Sequence, residues 1–433
     1  MNSEAGTSVG ASRLGRYARS RVVAFLGFLS AQLGLIWLGL HGFSTPMGDI
    51  IYAYEPWAKQ MLQSGKFFGL QLPWVYPWPN LLLVFGPTQF GPTPLGGDYQ
   101  GAWLLESSAF SVLAVLVLLL ARGIDGRSNV IAVWFWTAAL ILLGPVSVSR
   151  LDSFSIALGV VGVVAWARLK PRFAVVWFTI GVWFKVWPIA LIIGLWAAVQ
   201  KRWQLIALTV GVGVTVLLVG YLLGGTPHNL LSFVTDQSNR GIQIESPWAA
   251  FWLWAGVFGS KQSGLYFDMP LQTFQVFGPG NQVFAILLGP VMYLALGITA
   301  FLGWKAAKTQ GLHSLGTSNG AFAVNRVFAW TSLTGVLDLI VFNKVGSPQY
   351  YGWLIVPVLF GLLVRVWPNK TIVVWVLVIS ALTGLIYPYI YDSILESAWW
   401  AIGILTVRNL VVVGLLVYCN LKLTELGKIV RAD

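Results

Sequence analysis

The run VVAFLGFLSAQLGLIWLGL, residues 22–40, decides the class of this protein. It carries no charge, and a helix that spans a bilayer needs about 20 apolar residues. The basic stretch RLGRYARSR, residues 13–21, precedes it. The run is long for the core of a signal peptide and no A-x-A site follows, so it reads as an uncleaved anchor. Comparable runs follow at 101–121, 129–146, 152–168, 173–186, 188–200, 204–223, 282–304, 326–342, 348–364, 371–388 and 398–421. Composition agrees: 57% of the chain is hydrophobic and 10% charged, where a soluble domain carries roughly 25% charged residues. The expected fold is an all-α polytopic membrane protein with about twelve spans.

The segments at 173–186 and 188–200 are short and meet at FKVWP, residues 184–188. Pro188 lacks an amide hydrogen and disfavours helix at Trp187. Two short spans or one kinked element both fit this pattern.

Orientation follows from Lys and Arg. With the N-terminus in the cytoplasm, Arg122 and Arg127, Arg168 to Arg172, Lys201 and Arg202, Lys305 and Lys308, Arg365 and Lys370, and Lys422 all fall inside. One transmembrane domain is then expected over residues 22–421, between a disordered basic tail at 1–21 and a second cytoplasmic tail at 422–433. Two long loops face outward, at about 43–100 and 224–281. Both mix aromatic and apolar stretches too short to span, such as WVYPWPNLLLVFG in the first, and so read as interfacial or re-entrant. The net charge of +12 raises nucleic acid as a partner. Its distribution argues against that, because the cations punctuate apolar runs. The expected location is a plasma membrane, with the chain a monomer in the lipid bilayer. The single cysteine, Cys419, cannot form an internal disulfide. His41, His228 and His313 form no metal motif.

Under this topology the unusual polar residues gather on the outer face. Asp49 and Glu55 lie in the first loop, and Arg150 and Asp152 at the turn between the third and fourth segments. Lys185 lies in FKVWP, and His228, Asp236, Arg240 and Glu245 in the second long loop. Lys344, Gln349 and Tyr350 follow the ninth segment, and Arg408 lies inside the last. Buried ionisable groups cost several kcal/mol unless paired or hydrated. Arg150, Lys185, Arg240, Lys344 and Arg408 are five cations on a face where few are expected, and such cations suit the phosphate of a lipid. Tyr52, Tyr76 and Tyr350 suit sugar stacking or anchoring at the headgroups. Structural readings stand beside these. Asp49 fits a helix cap, Arg150 and Asp152 a local ion pair, and Asp152 alone a cap. Lys185 fits a snorkelling side chain, and His228 a helix-start residue. Asp338, in the ninth segment, is expected to pair with a cation or back a pore.

The stretches GDIIYAYEPWA (48–58), WVYPWP (74–79), RLDS (150–153), FKVWP, RGIQIES (240–246), NKVGSPQYYGWL (343–354) and VRNL (407–410) run from the first segment to the last. Together they resemble the GT-C superfamily of integral-membrane glycosyltransferases. More narrowly, they are similar to the actinobacterial polyprenyl-phosphate-mannose-dependent α-mannosyltransferases. The resemblance implies a sugar, mannose first, carried on a polyprenyl phosphate as cosubstrate and transferred outside the cytoplasm with inversion. It matches Asp49 to the general base and leaves the five cations as candidates for the donor phosphate. Glu55, Tyr52, Tyr76, Asp152, His228, Glu245, Gln349 and Tyr350 become candidates for the sugar, for a glycolipid or polysaccharide acceptor, or for holding those cations. No metal or other cofactor is expected. A lipid-linked-sugar flippase or a non-catalytic assembly partner is the alternative.

Overall fold

The computed structural model describes residues 20–42, 46–91, 98–235, 240–269, 272–310, 318–367 and 369–428. The basic tail, Asp236 and His313 lie outside them. All twelve apolar segments form helices: α1 (Arg21–His41), α2 (Asp98–Leu120), α3 (Gly126–Leu143), α4 (Asp152–Ala167), α5 (Pro171–Phe184), α6 (Ile189–Ala198), α7 (Arg202–Leu222), α8 (Asn281–Thr309), α9 (Ser318–Val341), α10 (Pro348–Leu363), α11 (Thr371–Gly384) and α12 (Trp399–Leu426). Eight of them, α11 being counted with its continuation to Leu395, are long and apolar enough to cross a membrane. The other four, α4, α5, α6 and α10, are shorter. At 1.5 Å per residue, the ten-residue α6 reaches about 15 Å, half of a roughly 30 Å hydrocarbon core.

Local chemistry sets the ends. Asp125 caps α3, its carboxylate accepting from the Ser128 amide at 2.9 Å. Pro171 opens α5, where its missing N–H is not needed. Helix ends again at Lys185, whose backbone is extended, and restarts after Pro188. FKVWP therefore separates two helices. The core helix is α9, 94% buried over its membrane-length window, packed on α6, α8 and α12. Small residues allow close approach there: Gly194 of α6 lies against Ser332, and Gly303 of α8 against Thr331.

The long loops are built structures. The first holds a five-residue wide turn (Ile50–Tyr54), a helix at Glu55–Ser64 and a short helix at Asn80–Phe85. Gly65, in the left-handed region at φ 64°, ends the second of these. The other loop holds helices at Pro227–Thr235 and Ala250–Val257, then strands β1 (Gly264–Asp268) and β2 (Thr273–Phe277). The strands pair antiparallel, Gly264 facing Phe277 and Asp268 facing Thr273. This hairpin corrects the all-α expectation. GLYFD and TFQVF are five-residue aromatic runs bounded by Gly and Ser, and over so few residues apolar content does not separate strand from interfacial helix.

Candidate active site

Asp49 directly precedes the wide turn, but its side chain caps nothing. Its Oδ2 lies 3.1 Å from Nε of Arg150, in the turn between α3 and α4. Arg150 is buried and fully engaged. Its Nη1 donates to the Pro46 carbonyl and to Ser149, and its Nη2 to the Tyr387 hydroxyl at 3.2 Å. Burial alone would lower the pKa of this guanidinium; Asp49 and Tyr387 outweigh burial and raise it. The Asp49 side chain keeps 41% of its surface exposed. A buried, hydrogen-bonded cation thus holds one oxygen of a carboxylate that stays partly exposed. RLDS contains no internal pair: Arg150 reaches back about a hundred residues to Asp49, while Asp152 turns into the bundle.

There Asp152 accepts from Trp353 Nε1 at 2.7 Å and faces Lys185 Nζ at 3.5 Å. The Lys185 ammonium also lies over the rings of Tyr76 (4.9 Å) and Tyr350 (5.7 Å), the second of which stacks on Trp353. With 15% of its side chain exposed, Lys185 does not snorkel. The Asp152 carboxylate and the two ring faces thus lie around this part-buried ammonium. Its backbone is held from the first loop. Asn80, fully buried, donates from Nδ2 to the carbonyls of Phe184 and Pro77 at 3.0 Å each. WVYPWPN thus ties down the end of α5 that presents Lys185. Gln349 and Asp152 line a narrow cavity between α4 and α10.

RGIQIES is threaded between two partners. On one side the Ile244 amide donates to Phe274 and the Val276 amide to Ile242, which attaches the segment to β2. On the other, the Gln243 amide donates to the Lys344 carbonyl, and Ser246 Oγ to Asn343. The crossing needs Gly346, where a Cβ would stand 2.1 Å from the Ser246 amide nitrogen. Glu245 is thereby carried to Arg408 of α12, with Nη1 to Oε2 at 3.3 Å and Nη2 to the Glu245 carbonyl at 3.0 Å. Arg408 is 0% exposed, lies over the Tyr351 ring and donates to Asn409. Burial raises the pKa of Glu245, and Arg408 only partly opposes it. Arg408, one of the five candidates for the donor phosphate, is enclosed by protein.

Three of the five expected cations therefore face carboxylates. Arg240 has a buried Nε with no hydrogen-bond partner among the described residues. Lys344 lies near enough to Arg240 that burial and then this like charge pull its pKa down. Arg240 and Lys344 thus set two positive charges close together at a half-buried position.

Other candidates lie apart from this arrangement. Glu55 pairs with Lys59 one turn along its own helix at 2.8 Å. Tyr52 is 63% exposed. His228 is exposed at the start of its helix. Asp338 accepts a 2.6 Å bond from Thr299 of α8 rather than meeting a cation. Sequence reasoning missed Tyr387, Trp353 and Asn80. Trp353 and Asn80 sit in or beside stretches already singled out, and Tyr387 lies in the aromatic, proline-bearing LIYPYIYD after α11, which offered the only signal. Among the described residues, no three His, Cys, Asp or Glu side chains are grouped to hold a metal. No protein-family model matches the chain, and no curated protein matches it significantly.

Proposed function

We propose that the chain is a GT-C-type membrane glycosyltransferase. It spans the membrane about twelve times with both termini in the cytoplasm. It moves a sugar, mannose in the leading case, from a polyprenyl phosphate to a cell-envelope glycolipid or glycan on the outer face. The observation that carries this reading is the half-open Asp49 carboxylate, fixed by buried Arg150 on the same end of the bundle as Lys185, Arg240 and Lys344.

An acceptor hydroxyl attacks the anomeric carbon while Asp49 takes its proton. The bond from that carbon to the phosphate oxygen breaks, and polyprenyl phosphate leaves with the electron pair and inversion at carbon. Phosphate leaves readily, so the step needs charge matching more than a partner acid. Arg240 and Lys344 supply that charge. Lys185, shared with Asp152, faces the sugar side with Tyr76 and Tyr350. Arg150 positions Asp49, and Arg408 with Glu245 holds the second outer loop in place.

The test is transfer by the purified chain from polyprenyl-phosphate mannose to an envelope glycolipid acceptor. Asp49→Asn is expected to lower turnover by about 10²–10⁴-fold while donor binding persists. Full turnover in that variant defeats the assignment. A flippase also finds one favourable observation, the helix broken beside Lys185. Donor movement across liposomes without transfer would select it.

A further inference from the structure

All the groups above lie at one end of the bundle. At the opposite end, Lys370 directly precedes α11. Val374 and Val378 follow it four and eight residues on, so the three share one stripe of the helix. Thr371 and Trp375 lie beside them, and Val411 of α12 supplies the facing wall of a lateral groove. Trp375 forms part of that lining, its Nε1 donating to the Val411 carbonyl at 3.0 Å. Val374 and Val378 are 55% and 42% exposed, within the span Thr371–Leu395, which is apolar and long enough to cross a membrane.

The charges at this end are unequal in their partners. Arg365 pairs with Asp125, and Lys422 with Glu425 at 2.8 Å. Lys370, exposed at the mouth of the groove, forms no ion pair among the described residues. From Lys370 to Val378 the helix rises about 12 Å, close to the roughly 15 Å of one leaflet's hydrocarbon. An ammonium, an indole and an apolar wall at successive depths match a headgroup phosphate, a glycerol region and an acyl chain.

We propose that this groove binds an anionic glycerophospholipid of the adjoining leaflet, its phosphate on Lys370 and one acyl chain along Val374, Trp375 and Val378. The site stands apart from any glycosyl transfer and holds whichever reaction the other end performs.

Native mass spectrometry of the full chain, released from nanodiscs of mixed phosphatidylglycerol and phosphatidylcholine, tests it. Wild type is expected to retain phosphatidylglycerol selectively. Lys370→Ala should weaken that retention about fivefold. Val374→Trp, which fills the groove at an exposed position and keeps the charge, should abolish retention of both lipids. Lys201→Ala, an exposed cation at the same end but outside the groove, should change nothing. Unchanged retention in Lys370→Ala, equal loss in Lys201→Ala, or indifference to Val374→Trp each overturns the proposal.

Discussion

Arg408 offers the sharpest division between a structural and a catalytic role. Its guanidinium is 0% exposed, and the Glu245 carboxylate 3.3 Å away is 3% exposed. Removing one member of such a pair leaves an uncompensated buried charge, at about 3–5 kcal/mol. Arg408→Met should therefore destabilise the protein by that amount. Replacing both, as Arg408→Met with Glu245→Leu, removes the orphan charge. What remains lost is the bond to the Glu245 carbonyl and the one to Asn409. At about 1 kcal/mol for each hydrogen bond, the double variant should sit only about 2 kcal/mol below wild type. Thermal unfolding in detergent, followed by size-exclusion fluorescence, reads both values. The double variant should also keep donor binding, because the Arg408 side chain is enclosed by protein. A double variant as unstable as the single one refutes the pair energetics. A double variant that folds but no longer binds donor returns Arg408 to the phosphate site.

Gly346→Ala places a Cβ against the Ser246 amide and the Glu245 carbonyl carbon; a loss of about 1–3 kcal/mol in thermal unfolding is expected, with faster proteolysis of the second long loop. Asn80→Leu removes the bonds to Phe184 and Pro77, and should raise KM for the donor while kcat changes little, measured in the transfer assay. Lys344 has a lowered pKa, so its charge is lost sooner than usual as pH rises. Donor affinity should fall through that lowered value, and Lys344→Arg, which stays protonated, should move the fall to higher pH in a binding titration. Arg150→Lys keeps a charge but loses the fork that holds Asp49, Pro46 and Tyr387 together; kcat should drop at least tenfold with donor Kd unchanged.

Much of the architecture was legible because apolar length is a local property. Each of the twelve segments carries its own signal, and each is helical. Partner choice was not legible, since it depends on the fold. Arg150 and Asp152 look like a pair two residues apart, yet helix geometry at the start of α4 sends Asp152 inward to Trp353 and leaves Arg150 to Asp49. Arg408 stood out as an anomaly, but its counter-ion lies 163 residues earlier in the chain. Glu55 shows the reverse, because Lys59 at i+4 was readable from spacing alone.

The threading of RGIQIES has a consequence for biogenesis. Ser246 and its partner Asn343 are separated by 97 residues. At roughly 5–20 residues per second, the ribosome needs about 5–20 s to deliver the second after the first. During that interval Glu245 has no Arg408, and the segment has β2 to hold it but not the residues around Asn343. Tyr387, which steadies Arg150, emerges later still. Completion of the polar end therefore waits on the last helices, and a chain stalled before them would present half-formed ionic contacts to quality-control proteases.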